Sequence, residues 1–299
     1  MGIAQRLGDA ASLVEERLAA LLGTYGPSDG TRLGAAMRHA LLTGGKRFRP
    51  FLVLESAALF GIPATQAVNA AAAIECIHCY SLVHDDLPSM DDDDVRRGRP
   101  TVHKEYDEWT AILAGDALLT MAFEVLAAPD THPNACVRAE LVAEIAKAAG
   151  ARGMVKGQML DLAAGKRGEP AKPTAAYVRE LQGLKTGALI ACACTAGAIL
   201  TQAPPRERAA LQAFGEQLGL AFQIADDLLD AEGDETTVGK ATGKDSTAGK
   251  ATLIGLLGIA KARALLAETE QKAIDALAPF GASAETLVEA ARFAASRAH

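Results

Sequence analysis

One stretch decides the fold class: Pro205-Arg-Glu-Arg-Ala-Ala-Leu-Gln-Ala-Phe-Gly-Glu-Gln-Leu-Gly-Leu-Ala-Phe-Gln-Ile-Ala-Asp-Asp-Leu-Leu-Asp230. Its apolar residues Leu211, Phe214, Leu218, Ala221, Phe222, Ala225 and Leu229 recur at the three- and four-residue steps of a helix face. The same spacing returns along the chain, and period-two alternation appears nowhere. After Pro204-Pro205 the next proline is Pro279, and none interrupts Thr174 to Ala203, so both spans admit long helices. The reading predicts helices over 3–22, 31–43, 50–60, 64–87, 107–127, 135–164, 174–201, 206–231, 247–277 and 283–297. Loops fall at Gly23–Gly30, Pro88–Pro100, Gly165–Pro173 and Gly233–Gly249.

Composition agrees. The chain has 299 residues, 49% hydrophobic and only 4% aromatic, and alanine, the best intrinsic helix former, dominates it. No stretch changes composition enough to mark a boundary, so a single all-α domain over 1–299 is expected. A net charge of −7 argues against a nucleic-acid binder. The odd count of five cysteines argues against a disulfide scaffold. Cys76-Ile-His-Cys79, a lone C-x-x-C, reads as small apolar residues in a helix. No basic start precedes an apolar run, and Ala188 to Leu200 falls short of the ~20 residues of a membrane span. The expected location is the cytoplasm, with no membrane span.

The carboxylates are unevenly spread: Asp85, Asp86, Asp91, Asp92, Asp93 and Asp94 lie within residues 85–94. Pro88 should break the preceding helix near Leu87, leaving Asp85 and Asp86 at a helix C-terminus, the wrong end of the dipole for anions. A cluster that unfavourable asks for a cation, and hard divalent ions take carboxylate oxygens and bridge them to phosphates. The quoted helix ends on a second acidic group. There Asp226 and Asp230, four apart, lie about 40° apart around the axis. Two such helix ends facing each other across a bundle could share metals. Basic residues complete the pattern: Arg96, Arg97 and Arg99, the loop Gly44-Gly45-Lys46-Arg47-Phe48-Arg49-Pro50, and Lys185, Lys240, Lys244 and Lys250. Metals together with arginine forks imply diphosphate as ligand.

Asp85-Asp86-Leu-Pro-Ser-Met-Asp91 through Arg96-Arg97-Gly-Arg-Pro-Thr, paired with Asp226-Asp227-Leu-Leu-Asp230, resembles the trans-isoprenyl diphosphate synthases, and more narrowly the bacterial farnesyl diphosphate synthases. Glu75-Cys-Ile-His78, Leu113-Ala-Gly-Asp116 and Lys185-Thr186-Gly187 match as well, in order, between about residues 40 and 260. The resemblance implies a helical bundle around a deep central cavity, usually a homodimer. It assigns isopentenyl diphosphate to Gly45, Lys46, Arg49, His78 and Arg97, and the allylic diphosphate (dimethylallyl or geranyl) to Arg96, Lys185 and Lys240, with Lys250 as a further substrate contact. Asp85, Asp91 and Asp226 would hold Mg²⁺, three ions per site, with Asp86 and Asp230 beside them and Mn²⁺ as the alternative metal. Lys185, Thr186 and Gln223 would act at the reacting carbon. The implied reaction condenses the two substrates head-to-tail to farnesyl diphosphate. The alternatives are a C20 geranylgeranyl diphosphate synthase, a terpene cyclase or a non-catalytic subunit. Tyr80, five residues before the first aspartate, would floor the cavity and stop growth at C15, with Ser81 beside it. The chain departs from the family at its end: Ser296-Arg297-Ala298-His299 has one arginine where relatives carry a basic tail.

Overall fold

The computed structural model describes residues 2–27, 30–232 and 252–296. Among these the chain is almost wholly helical, as expected. It divides into two compact units, residues 1–143 with 199–202 and residues 144–198 with 203–299.

The first unit contains α1 (Ile3–Tyr25), α2 (Arg32–Leu42), α3 (Phe48–Ala58), α4 (Ala64–Asp85), the two-residue strands β1 (Val95–Arg96) and β2 (Arg99–Pro100), α5 (Val102–Glu105) and α6 (Glu108–Ala127). Helix α4 is buried on every side from Ala67 to Ile77, because its run of alanines lets neighbours approach its backbone closely. It packs chiefly on α6 and α3, while Val14 and Leu18 of α1 and Phe51 and Leu52 of α3 fill the remaining core.

Helix α7 (Ala135–Ala149) leads into the second unit, which holds α8 (Met154–Arg167), α9 (Ala175–Gln182), a π-helical segment Gly183–Gly187, α10 (Ala188–Leu200) and α11 (Pro205–Glu232). Then follow α12 (Leu253–Leu257), α13 (Ile259–Ala276), a 3₁₀ turn Ala278–Ala284 and α14 (Glu285–Ser296). Val178, Ala221, Ile224, Leu228, Leu253 and Leu266 form a core there.

Most helix bounds fall within three residues of expectation; two spans divide. The expected helix 135–164 breaks at Gly150–Gly153, where a Cβ on Gly153 would meet the Ala148 carbonyl at 1.9 Å. In the expected helix 247–277, the described part breaks at Gly258, whose φ of +79° no helix accommodates. The short helix α5 and the hairpin were not expected, being too brief to show a period. Apolar length also exceeds the expectation: α6 and the run 175–200 are each long and apolar enough to cross a membrane. Half and two-thirds of their most apolar windows, however, are buried inside the protein. The buried share of each builds core.

Candidate active site

In the first unit the site is built on the end of α4. The helix stops at Asp85, and the chain folds back over it. The amides of Asp91, Asp92 and Asp93 donate to the carbonyls of Asp85 (2.8 Å), Leu87 (3.1 Å) and Asp86 (3.2 Å). The acidic loop thus caps the helix that carries it. Asp85 and Asp91, six apart in sequence, leave from neighbouring points and are both half-buried. Their carboxylates are hard oxygen donors that fit a divalent cation such as Mg²⁺.

Asp86 departs from the expectation that it would join them. It is 3% exposed, and the Arg96 fork holds it, Nε donating at 2.7 and 3.0 Å and Nη2 lying 2.6 Å away. Burial pushes the Asp86 carboxyl up, against the opposing pull of Arg96. The anion at this unfavourable helix end is therefore neutralised by a protein cation, and both side chains are engaged with each other. Arg96 reaches Asp86 from β1. The hairpin closes through Arg97 (φ 53°) and Gly98 (φ 74°), the left-handed pair that the twist of a two-residue loop demands.

Arg97, in the turn itself, meets the basic loop. Its Nη1 donates to the Gly44 carbonyl, and its guanidinium lies against Gly45, where a Cβ would come within 2.7 Å of Cζ. Only glycine fits there, at a φ of +131°. Arg49 Nη1 lies 3.4 Å from His78 Nε2. Burial first, then the charges of Arg49 and Arg97, hold His78 well below its ordinary range and therefore neutral. Gly45, Arg49, His78 and Arg97 thus come together, and Lys46 is exposed beside them.

Sequence reasoning missed the hub beneath this loop. Arg47, in a left-handed backbone conformation at the start of α3, is buried with Nη1 2.6 Å from Glu75. Its Nη2 meets Glu15 at 3.2 Å and the Leu41 carbonyl at 2.5 Å. The available signal was Glu75 itself, a carboxylate in an alanine-rich apolar helix that must find a cation. Tyr80 is buried one turn before Asp85, its ring edge-on to His84 at 5.7 Å between centroids. His84 lies 3.0 Å from the Ile112 carbonyl and packs on Gly115, where a Cβ would fall 2.1 Å from Nε2. That contact gives Leu113-Ala-Gly-Asp116 its physical reason. Ser81 turns its hydroxyl back to the His78 carbonyl at 2.8 Å. Beyond these, a carboxylate oxygen each of Asp92 and Asp94 and a ring nitrogen of His103 lie within 4.8 Å of one another, and Lys104 pairs with Asp94 at 2.9 Å.

In the second unit Lys185 and Thr186 sit in the π-helical segment, a widened turn of the kind often found at functional sites. Both are half-buried. Lys185 Nζ lies 2.6 Å from Asp161 Oδ2 of α8, and Gln182 Nε2 donates to Asp227 Oδ2 of α11 at 3.0 Å. Glycines set the close approach. A Cβ on Gly157 of α8 would fall 2.1 Å from the Lys185 backbone nitrogen, and one on Gly219 of α11 would fall 2.7 Å from Gly187 Cα. Helix α11 continues past its acidic group to Glu232, so Gln223, Asp226 and Asp230, all half-buried, remain helical and the two aspartates share a face. Sequence reasoning passed over Gly157-Gln158-Met-Leu-Asp161. Lys240, Lys244, Lys250 and Arg297 lie outside the described residues.

The sequence model of the polyprenyl synthetase family matches residues 31–287. A farnesyl diphosphate synthase of Geobacillus stearothermophilus is 42% identical over 89% of this chain and 88% of its own. A geranylgeranyl pyrophosphate synthase of Arabidopsis thaliana is 41% identical over 88% of this chain and 73% of its own. Among solved structures, an apo FPP/GFPP synthase from Zymomonas mobilis superposes with a TM-score of 0.86 at 41% identity, covering 97% of this chain and 98% of that one.

Proposed function

The chain belongs to the polyprenyl synthetase family, and from that premise we propose that it condenses isopentenyl diphosphate with dimethylallyl and then geranyl diphosphate to give farnesyl diphosphate. The observation that carries the reading is the basic constellation of Gly45, Arg49, His78 and Arg97 beside a helix end whose Asp85 and Asp91 fit a divalent cation. Each unit supplies residues for this reaction, in keeping with one catalytic function for the whole chain. The working enzyme is a cytoplasmic homodimer.

Asp85, Asp91 and Asp226 hold Mg²⁺, three ions when the site is loaded, with Asp230 in support; Mn²⁺ is the alternative. Bound there, the metal withdraws charge from the departing diphosphate. Arg97 and Arg49, with Lys46, bind isopentenyl diphosphate, and neutral His78 contributes a hydrogen-bonding nitrogen rather than a further charge. Lys185, with Lys240 and Lys250, binds the allylic diphosphate and stabilises the negative charge that develops as its C–O bond breaks. The isopentenyl double bond then attacks the allylic cation, and proton loss to the released diphosphate completes a five-carbon extension. Thr186 and Gln223 place oxygens near the reacting carbon, and aliphatic walls exclude the water that would quench the cation. Arg96 serves this site through Asp86, by neutralising the helix end.

The similarity to a geranylgeranyl pyrophosphate synthase favours one second reading, a C20 product. Tyr80 decides between them. Incubation with labelled isopentenyl diphosphate, dimethylallyl diphosphate and Mg²⁺, followed by chromatography of the dephosphorylated products, should give C15 from the natural chain. Tyr80→Ala should move the product to C20 or longer. Absence of any Mg²⁺-dependent product would defeat the enzyme reading. An unchanged profile in the variant would remove Tyr80 as the floor.

A further inference from the structure

Helix α8 touches Lys185 twice. Gly157 lies against its backbone nitrogen so closely that a Cβ there would fall at 2.1 Å. One turn further on the same face, Asp161 meets its ammonium group at 2.6 Å. The side chains of this pair are only 23% and 14% exposed, so water screens it less than a surface pair. The other flank of the segment is held by α11, through Gln182 to Asp227 and Gly187 against Gly219. A lysine otherwise carries a compact charge on a flexible four-carbon stem, and ordering that stem costs entropy when a ligand arrives.

We propose that Asp161 is a positioning residue for Lys185, fixing its ammonium group in advance for the diphosphate of the allylic substrate. The assignment rests on the prenyl-transfer reading of the site. Asp161 touches neither substrate nor reacting atoms in this role; it acts through Lys185. Anchoring the lysine backbone on Gly157 and its side chain on Asp161 leaves its charge little freedom to follow a misplaced ligand. That rigidity is the preorganisation that makes a charge effective when the leaving group develops its own. The opposite role for the same ion pair has Asp161 competing with diphosphate for the ammonium, so that its removal would tighten binding. The two have opposite signs.

The test uses the full chain with Mg²⁺, dimethylallyl diphosphate and labelled isopentenyl diphosphate. Asp161→Asn should lower kcat/KM for the allylic substrate by between about ten- and a hundredfold. The KM for isopentenyl diphosphate should stay unchanged, and Asp161→Glu should restore much of the loss. Because Asp161 acts through Lys185, adding Asp161→Asn to Lys185→Ala should cost less than about twofold more. Near-natural or improved turnover in Asp161→Asn overturns the proposal. So do losses that multiply in the double variant, or loss of helicity by circular dichroism in both Asp161 variants. A natural chain that forms no prenyl product overturns the prenyl-transfer reading itself. An active natural chain with multiplying losses overturns only the positioning role.

Discussion

The two units hold their candidate site residues by different physics. In the first, buried charges do it: Arg96 grips Asp86, and Arg47 grips Glu75 and Glu15 beneath the basic loop. In the second, backbones touch through glycine: Gly157 against Lys185, Gly219 against Gly187 and Gly215 against Ala191. The loop of the first unit has no helical ladder of its own, so side-chain charge must fix it. The π segment of the second is already part of a helical run, and close packing on two neighbours holds its backbone, with Asp161 meeting the Lys185 side chain. A charge lock can be broken by removing a group or changing the pH; a glycine lock is broken by adding a single methyl.

The contrast should vanish where the chemistry is shared. Asp85→Ala and Asp226→Ala, one in each unit, should each lower Mg²⁺-dependent turnover about a thousandfold or more while leaving helicity intact. Near-natural turnover in either, measured with labelled isopentenyl diphosphate, would remove that aspartate from the metal site.

Stability should then separate the two kinds of lock. Asp86→Ala leaves the Arg96 cation, most of it shielded from water, with only the longer contact to Asp93 at 3.6 Å, and should cost roughly 3 kcal/mol in urea unfolding, whereas half-buried Asp91→Ala should cost less than about 1 kcal/mol. Gly157→Ala sets a methyl against the Lys185 backbone, which cannot swing aside as a flexible side chain would, and should cost about 1–3 kcal/mol or more. Equal stability of Asp86→Ala and Asp91→Ala would break the charge-lock account.

The smallest effect is the titration of His78. Its folded-state pKa is depressed by burial and by Arg49 and Arg97, from an ordinary value of 6.5. The unfolded chain therefore takes up a proton first as pH falls, so this contribution is present above about pH 6.5 and is lost below it. Between pH 6.5 and 5.5 the natural chain should lose up to about 1 kcal/mol more stability than His78→Gln. Gly157→Ala should retain the natural slope, since its lock carries no proton. Identical slopes in the natural chain and His78→Gln would show that His78 protonates freely in the fold.

Periodicity alone determined the all-α class and nearly every helix, because a helix needs only local spacing and the absence of proline. Both acidic helix ends and the basic loop were legible for a related reason: like charges gathered at a helix C-terminus are costly unless something compensates them. The tertiary structure decided what each carboxylate meets. It turned Asp86 away from its neighbour Asp85 and onto Arg96, made Glu75 the partner of Arg47, and set Asp161 on Lys185. It also gave Gly45, Gly115 and Gly157 their meaning, since each is required by an atom of a residue at least 28 positions away. Spacing along a chain reports which residues share a face. Which face then meets which partner depends on packing between elements, and no local pattern encodes that.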